Sequence, residues 1–238
     1  MDDLQREATA EQPDDAHRSN PRSMSDEVAT AVAAPIPTGL TPGQAAVKRV
    51  LDVVVAVTAL VLTGWLILLG AAASAIAHGG SGFYVQRRVG RNGTTFPLLK
   101  LKTMRDGTGF ETTVTTADDP RITSVGRLLR RTKVDELPQF MNVLLGHMSL
   151  VGPRPDVPGF ADRLTGADRI ILGVAPGITG PATLAYRREE DLLAAQTDPE
   201  RHNREVIYPD KVRLNRAYVE GYSVWRDIEY LWRTLMGR

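Results

Sequence analysis

The chain has 238 residues, enough for one sizeable domain with a tail or for two small domains. It contains no cysteine, which excludes disulfides, thiolate catalysis and cysteine zinc sites, so a metal would need oxygen or imidazole ligands. The formal net charge of +1 is unevenly distributed, because residues 1–46 carry eight acids against three arginines and the remainder is basic. A basic body indicates phosphate partners, on a membrane surface or on a substrate.

The first 45 residues differ in composition from the rest of the chain. They are rich in Asp, Glu, Ala, Ser, Thr and Pro and have little amphipathic periodicity, which predicts a disordered acidic tail over 1–45. The acidic, polar start lacks the basic residues and the directly following apolar run of a secretory signal, so no cleavable signal is expected.

Residues 46–78 form the second predicted unit, a membrane-inserted helix. Positions 53–77 carry no charge, and about 20 apolar residues are enough to cross a bilayer. A fully buried helix of a soluble core is the alternative. Basic residues flank the run on both sides, and Gly64 lies near its middle as a candidate bend. These features favour a re-entrant helix with both ends in the cytosol, although a single span fits almost as well.

Residues 79–238 form the third predicted unit, a small α/β domain that is mainly α. Asn92 and Gly93 give a hairpin signal between two short strands, and Thr123 or Ser124 caps a short helix. Gly and Pro interrupt the segment 146–160, which is predicted to be a loop. The predicted strands lie at 83–85 and 96–101, and the predicted helices at 124–131 and 137–145, before a mostly helical remainder.

Basic side chains recur at regular spacing in this third unit. Arg127, Arg130 and Arg131 lie on one face of the predicted helix, and Arg154 is held between two prolines. Guanidinium groups in such positions can bind a diphosphate through forked hydrogen bonds. A solvated helix face or an anionic-lipid contact explains the first pattern as well, and an exposed structural turn explains the second.

The predicted strands also carry polar side chains on one face. Lys100 and Lys102 are two residues apart on the second strand, and Gln86 and Arg88 share the same alternation on the first. Such a surface either binds an anion or faces water. Water is the favoured alternative from the pattern alone.

Asp135 and Glu136 stand side by side just before a proline. Acids at this place commonly cap a helix, and the spacing alone favours that role. A carboxylate at a helix start beside several arginines is also expected to have a lowered pKa and to stay ionised. It can then attack phosphorus or bind a hard cation such as magnesium. The four histidines have no metal-ligand spacing, and the glycine clusters form no P-loop.

Three motifs follow one another in this part of the chain: YVQRRVGRNGTTFPLLKLKTM, DDPRITSVGRLLRRTKVDELPQFMNVLLGHMSLVGPRP and PGITG. In this order they resemble the bacterial sugar transferase family, whose members are monotopic polyprenyl-phosphate phosphoglycosyl transferases. The resemblance covers about residues 46–238.

The resemblance implies a reaction and a set of residue roles. A UDP-sugar gives its sugar-1-phosphate to polyprenyl (undecaprenyl) phosphate and releases UMP, through a covalent phosphosugar on Asp135. Glu136 aids the second step or the metal, and Asp135 and Glu136 are the expected ligands of Mg²⁺. The expected substrate- and phosphate-binding residues are Lys100, Arg88, Arg130 and Arg154.

Two positions depart from the family pattern. The membrane helix of the family commonly carries a Ser-Pro pair that breaks it, and this chain has Gly64 and Trp65 there. Asn215 stands where many members carry an Asp, and no role is assigned to it.

The resemblance also implies a place and partners for the protein. The expected location is the bacterial inner membrane, with the catalytic domain on the cytosolic face, and the expected role is to initiate an exopolysaccharide, O-antigen or capsule. The lipid bilayer, a UDP-sugar and polyprenyl phosphate are the expected partners; a homodimer is compatible, and nucleic acid is not expected. A catalytically silent membrane scaffold of the same fold is the alternative, and a membrane-tethered nucleic-acid binder is a weaker one.

Overall fold

The computed structural model describes residues 35–106 and 119–237. Residues 1–34, which make up most of the predicted tail, lie outside the described part of the chain, as do residues 107–118 and Arg238. The described residues are mostly helical, as the sequence predicts, and they contain two small sheets, of which the sequence predicts only the hairpin.

The longest element is α1, Pro42–His78, a helix of 37 residues. Thr41 caps it through a capping box with Gln44, and Pro42 supplies a residue suited to the first turn, so the helix begins four residues before the predicted boundary. It ends at Gly79, which adopts the left-handed conformation with φ 66°. The helix continues through Gly64 without a break, and the bend and the re-entrant topology stay predictions.

One stripe of α1 contacts the rest of the protein. The buried positions form two groups on one side of the helix, separated by residues 57–66: Lys48, Asp52 and Ala56, and then Ile67, Gly70, Ala71 and Ser74. The other faces of the helix expose large apolar side chains, among them Val61, Leu62 and Trp65. The helix is long and apolar enough to cross a membrane, and only 17% of its most apolar 18-residue window is buried.

A hairpin follows, made of β1, Phe83–Val89, and β2, Thr95–Leu101. The strands pair antiparallel, from Phe83 opposite Leu101 to Val89 opposite Thr95. Asn92 and Gly93 both adopt positive φ in the turn, which is the conformation that the Asn-Gly signal predicts. β1 extends four residues beyond its predicted end, because Gln86–Val89 pair with the start of β2.

Two short helices carry the acidic pair between them. Thr123 caps α2, Ser124–Thr132, as predicted, and Lys133 ends it in the left-handed conformation with φ 59°. A 3-10 turn, Val134–Glu136, comes next, and α3, Gln139–Leu144, is shorter than the predicted helix. α2 lies close to the chain beyond β2, because a Cβ on Gly126 would be 2.0 Å from the carbonyl oxygen of Thr103.

The loop predicted at 146–160 contains a strand, so that part of the prediction is wrong. β3, Ser149–Val151, pairs in parallel with β4, Gly177–Thr179, with Ser149 opposite Gly177. The carboxylate of Asp52 in α1 accepts hydrogen bonds from the Ser149 hydroxyl at 3.0 Å and the Leu150 amide at 2.9 Å. The apolar helix is therefore attached directly to β3.

The remainder of the described chain is helical. A 3-10 segment, Gly166–Gly173, precedes β4, and a π-helical segment, Asn203–Ile207, leads into the longest of the later helices. These helices are α4, Pro181–Ala185; α5, Glu189–Ala194; α6, Pro199–His202; α7, Tyr208–Glu220; and α8, Val224–Leu235.

The largest core cluster joins α1, the hairpin, β3 and the last two helices. Its buried members include Ala56, Leu98, Val143, Val151 and Tyr218. Burial of these apolar side chains fixes the hairpin against α3 and β3, which are the elements that position the site.

Candidate active site

A cavity of about 260 Å³ opens between α2, the 3-10 turn and the end of β2. Arginine and lysine dominate its wall, with six cationic side chains against three carboxylates. The cavity is lined by Lys100, Ile122, Arg127, Arg130, Arg131, Lys133, Asp135, Glu136, Arg154 and Glu190. Such a concentration of positive charge favours a ligand with several phosphate charges.

The local sequence turns the acidic pair into this cavity. The left-handed residue Lys133 ends α2 and starts the 3-10 turn, whose backbone closes by the Glu136 amide donating to the Lys133 carbonyl at 3.2 Å. Asp135 is buried by this turn, and Glu136 is the last residue of it. The two carboxylates thus lie on a constrained turn rather than on a regular helix.

Glu136 is held by two cations. Lys100 donates to its Oε1 at 3.4 Å and Arg154 donates to the same oxygen at 3.1 Å. Burial alone would raise the pKa of Glu136, but Arg154 and Lys100 outweigh burial and hold this pKa well below its usual range. Burial lowers the pKa of Lys100, and Glu136 partly offsets that effect. Glu136 is therefore ionised at neutral pH.

Asp135 has the opposite character. Its Oδ1 is buried and has no hydrogen-bond partner among the described residues. Burial, and then the adjacent charge of Glu136, raise the pKa of Asp135 to about 6, against the attraction of Lys100 and Arg130. The predicted lowering of the pKa is thus correct for Glu136 and wrong for Asp135. The reason is that desolvation outweighs the neighbouring cations when no donor reaches the carboxylate.

Helix capping does not account for the acidic pair. The residue that precedes α3 is Pro138, and no side chain caps that helix. Glu136 is engaged by Lys100 and Arg154 instead, and Asp135 Oδ1 is unpaired. The capping role that the spacing favoured is therefore absent from the structure, which leaves Asp135 available to a ligand.

The arginine face of α2 lies on the same cavity. Arg127, Arg130 and Arg131 all line it, as their common face predicts. Arg130 donates to the carboxylate of Glu190, a residue of α5 that is 60 positions later in the chain. Glu190 was not among the predicted site residues, because nothing near it in the sequence indicates that α5 reaches α2.

The strand cations separate into different environments. Lys100 lines the cavity, whereas Lys102 pairs with Asp106 and does not. Arg88 is not in this cavity but in a neighbouring one of about 190 Å³, where it donates to the Gln86 side chain and to the Pro155 carbonyl. The predicted set is therefore divided between two cavities.

Arg154 belongs to both cavities, as does Glu190. The second cavity is lined by Arg88, Arg154, Pro155, Asp156, Val157, Phe160, Glu189, Glu190, Leu193, Asn203, Tyr208 and Lys211. Sequence analysis missed the polar members of this wall apart from Arg88 and Arg154. Among these missed residues, only Asp156 could have been predicted as a site residue, because it stands two residues after Arg154, which two prolines flank.

The acidic pair offers an incomplete set of metal ligands. Within residues 35–106 and 119–237 no group of three or more His, Asp or Glu side chains could hold a metal ion. Mg²⁺ nevertheless often takes one or two protein carboxylates and completes its shell with water and substrate phosphates. The unpaired Oδ1 of Asp135 suits that arrangement, whereas the Oε1 of Glu136 is already occupied by two cations.

The site therefore has the features of an enzyme that handles phosphate groups beside an apolar helix. The family model described as bacterial sugar transferase matches residues 43–237. The chain belongs to the bacterial sugar transferase family.

Relatives in this family have names that state an activity or a pathway. The exopolysaccharide production protein ExoY of Sinorhizobium fredii is 33% identical over 204 residues, covering 79% of this chain and 83% of that protein. The UDP-glucose:undecaprenyl-phosphate glucose-1-phosphate transferase of Caulobacter vibrioides is 37% identical over 194 residues, covering 79% and 68%. The undecaprenyl-phosphate galactose phosphotransferase of Salmonella typhimurium is 32% identical over 203 residues, covering 79% of this chain and 39% of that longer protein.

Proposed function

We propose that this protein transfers a sugar-1-phosphate from a UDP-sugar to undecaprenyl phosphate at a membrane surface. The names of the Caulobacter vibrioides and Salmonella typhimurium relatives support the reaction class. The name of the Sinorhizobium fredii relative supports a role in exopolysaccharide production. The products are undecaprenyl-diphospho-sugar and UMP.

The observation that carries this proposal is a buried, unpaired carboxylate inside a cationic cavity. Asp135 has no donor for its Oδ1 and faces arginines on α2 and Arg154 across the cavity. A carboxylate without a partner is costly to bury, and such groups cluster at functional sites. The surrounding cations would lower the repulsion between this carboxylate and an anionic phosphate.

The proposed transfer consists of two displacements at the sugar-bearing phosphorus. An oxygen of Asp135 forms a bond to the sugar-bearing phosphorus, and the bond from that phosphorus to the oxygen of UMP breaks, so that UMP leaves with the bonding electrons. A phosphate oxygen of undecaprenyl phosphate then attacks the same phosphorus and releases the Asp135 carboxylate. Both steps move charge between anions, so charge neutralisation matters more than a strong base.

Glu136 is a positioning residue in this scheme. Its ion pairs with Lys100 and Arg154 hold both cations at the cavity wall, beside Asp135. Its lowered pKa keeps it ionised, so it does not compete with Asp135 for a proton. Its charge also keeps the pKa of Asp135 raised, which preserves the nucleophilicity of that carboxylate.

Magnesium fits the site as a partner of the substrate rather than as a resident ion. Asp135 would supply a carboxylate oxygen, and the diphosphate of the donor would supply the others. When bound, Mg²⁺ would neutralise charge on the diphosphate.

The surface of the protein supports membrane attachment. Val61, Leu62 and Trp65 of α1 are more than half exposed, as are Trp225 and Trp232 of α8. Tryptophan side chains favour the membrane interface, and α8 would place its pair there if it lay along the bilayer surface. We assign the catalytic body to the cytosolic face, where a UDP-sugar is available.

The test uses the purified full-length chain in detergent or nanodiscs with undecaprenyl phosphate, Mg²⁺ and a panel of UDP-sugars. We expect UMP release with at least one donor and, without the lipid, a mass increase of one phosphosugar on the peptide that contains Asp135. Asp135→Asn should lower turnover by at least about a thousandfold and abolish the adduct. Asp191→Asn, at an exposed acid of α5, is the matched control and should behave as wild type. Turnover near wild type in Asp135→Asn would overturn the nucleophile assignment.

A further inference from the structure

The cavity that contains Arg88 differs in character from the catalytic cavity, although the two adjoin. Both include Arg154 and Glu190 in their walls, and Arg154 donates to Glu136 beside Asp135. A group bound in the second cavity would therefore lie within reach of a phosphate held at Asp135. The second cavity has three cations, Arg88, Arg154 and Lys211, against three carboxylates, so it lacks the cationic excess that a second phosphate would need.

Most charged groups of the second cavity are already paired. Lys211 donates to Glu189 at 2.6 Å, Arg130 donates to Glu190, and Arg88 is engaged by Gln86 and a backbone carbonyl. These pairs fix the wall. They leave few groups free to bind a ligand.

Asp156 is the exception. Its carboxylate lines the cavity, and it forms no ion pair or side-chain hydrogen bond among the described residues. Burial raises the pKa of Asp156 to about 6, against the attraction of Lys211, Arg88 and Arg154. At neutral pH this group is an ionised acceptor without a donor from the protein, at a place where a ligand can supply one.

We propose that the second cavity binds the sugar of the donor, with Asp156 accepting hydrogen bonds from sugar hydroxyl groups. The proposal rests on the proposed function. A pyranose presents several hydroxyl donors on neighbouring carbons, which match a free carboxylate beside a fixed Glu189–Lys211 pair. A uracil ring offers two carbonyl acceptors and one N–H, so it matches an unpaired acceptor less well. The ribose of the nucleoside also presents two neighbouring hydroxyl groups, and the effect of the variant on UMP binding distinguishes the two ligands.

The two halves of the reaction favour the same assignment. The sugar stays on the enzyme through both displacements, whereas UMP leaves after the first and the lipid phosphate enters. A side cavity that retains the sugar leaves the cationic cavity open to this exchange of anions. Asp156 would thus be a specificity-determining residue, since a site built to accept a hydroxyl discriminates strongly against a sugar that lacks or misplaces it.

The experiment compares wild type with Asp156→Asn, using UDP-glucose, UDP-galactose and their N-acetylamino counterparts as donors and UMP as a product inhibitor. We expect kcat/KM for the preferred donor to fall roughly 10- to 100-fold, as for loss of a hydrogen bond to a charged acceptor, and the order of preference among donors to change. The inhibition constant of UMP should change less than about twofold, because the nucleotide lies outside this cavity. Asp168→Asn, at an acid that pairs with Arg216 and does not line the cavity, is the control and should keep the wild-type preference.

Four other results would contradict the proposed sugar site, each for a different reason. An equal loss of donor and UMP affinity in Asp156→Asn would assign the cavity to the nucleoside and overturn the proposal, and unchanged kinetics would overturn it as well. A lower midpoint of thermal unfolding would reveal a structural role and also count against it, because neutralising a half-buried carboxylate that no side chain pairs should not destabilise the fold. If wild type released no UMP from any donor, the proposed function would fail and this inference with it.

Discussion

Lys48 and Asp227 form a buried ion pair, 2.6 Å from Nζ to Oδ2, that joins the second turn of α1 to the first turn of α8. The Tyr218 hydroxyl donates to the other oxygen of Asp227 at 2.6 Å, and the Tyr222 hydroxyl donates to Oδ2 at 3.3 Å. The apolar helix is therefore attached to the catalytic body by a fully hydrogen-bonded charge.

Removal of one partner of this pair should strongly destabilise the protein. Lys48→Met leaves Asp227 buried without its cation, and the free energy of unfolding should fall by about 3–5 kcal/mol. The measurement is the midpoint of thermal or urea unfolding in detergent. Glu205→Gln, which breaks the exposed pair with Arg201, is the control and should change little. Equal effects of the two variants would show that the buried pair does not hold α1 to α8.

The activity of the free enzyme should depend on the protonation of Asp135. As the proposed nucleophile, this carboxylate must be ionised, and its pKa is raised to about 6, so kcat/KM should rise with pH through about 6 and reach a plateau near pH 7. Glu136 should contribute no limb, because its pKa is far below this range. In Glu136→Gln, the residual activity should rise with pH at a lower pH than in wild type. The variant removes the like charge beside Asp135 and releases Lys100 and Arg154 from their ion pairs, and both changes lower the pKa of Asp135. A limb that stays near pH 6 in this variant would contradict the assignment.

The same raised pKa predicts a stability change of defined sign. The folded state binds the Asp135 proton more tightly than the unfolded state, so the native protein loses stability as pH rises from about 4 to about 6. Asp135→Asn avoids the buried charge and should be about 2–3 kcal/mol more stable than wild type at pH 8. This advantage should vanish near pH 4. Stability curves measured at several pH values test both the sign and the window.

Two glycines should respond differently to the same substitution. Gly64→Ala should be tolerated, because nothing lies within 4 Å of the added Cβ and alanine favours a continuous helix. Gly126→Ala should destabilise the protein by at least about 2 kcal/mol and displace the arginine face of α2, because its Cβ would lie 2.0 Å from the Thr103 carbonyl. UMP release and thermal unfolding measure both effects. Loss of activity in Gly64→Ala would instead indicate that a bend at this residue is required.

Local sequence patterns predict the elements that depend on neighbouring residues. Three local predictions are confirmed: a hairpin turn at Asn92–Gly93, a cap at Thr123, and a helix over the uncharged run of α1. Each of these features is defined within a few neighbouring residues. The arginine face is confirmed for the same reason. Helical spacing fixes which side chains share a face before any tertiary contact forms.

The remaining features depend on partners far away in the chain. β3 looks like a loop because its pairing partner begins at Gly177, and the Arg130–Glu190 contact spans 60 residues. The pKa of Asp135 rises rather than falls because burial decides the direction of the shift, and burial depends on the whole folded protein. Arg88 lies in the neighbouring cavity for a similar reason, since Pro155 and Gln86 fix its guanidinium there.

The contact of Asp52 with Ser149 and Leu150 has a mechanical consequence. It joins α1 to β3 by two hydrogen bonds, and the chain leaves β3 at Val151 only three residues before Arg154. A helix embedded in lipid tilts when the hydrophobic thickness of the bilayer changes. Through Asp52, such a tilt would be transmitted to the guanidinium that borders both cavities. If α1 is embedded in a bilayer as proposed, the thickness of that bilayer would thereby adjust the spacing of the site.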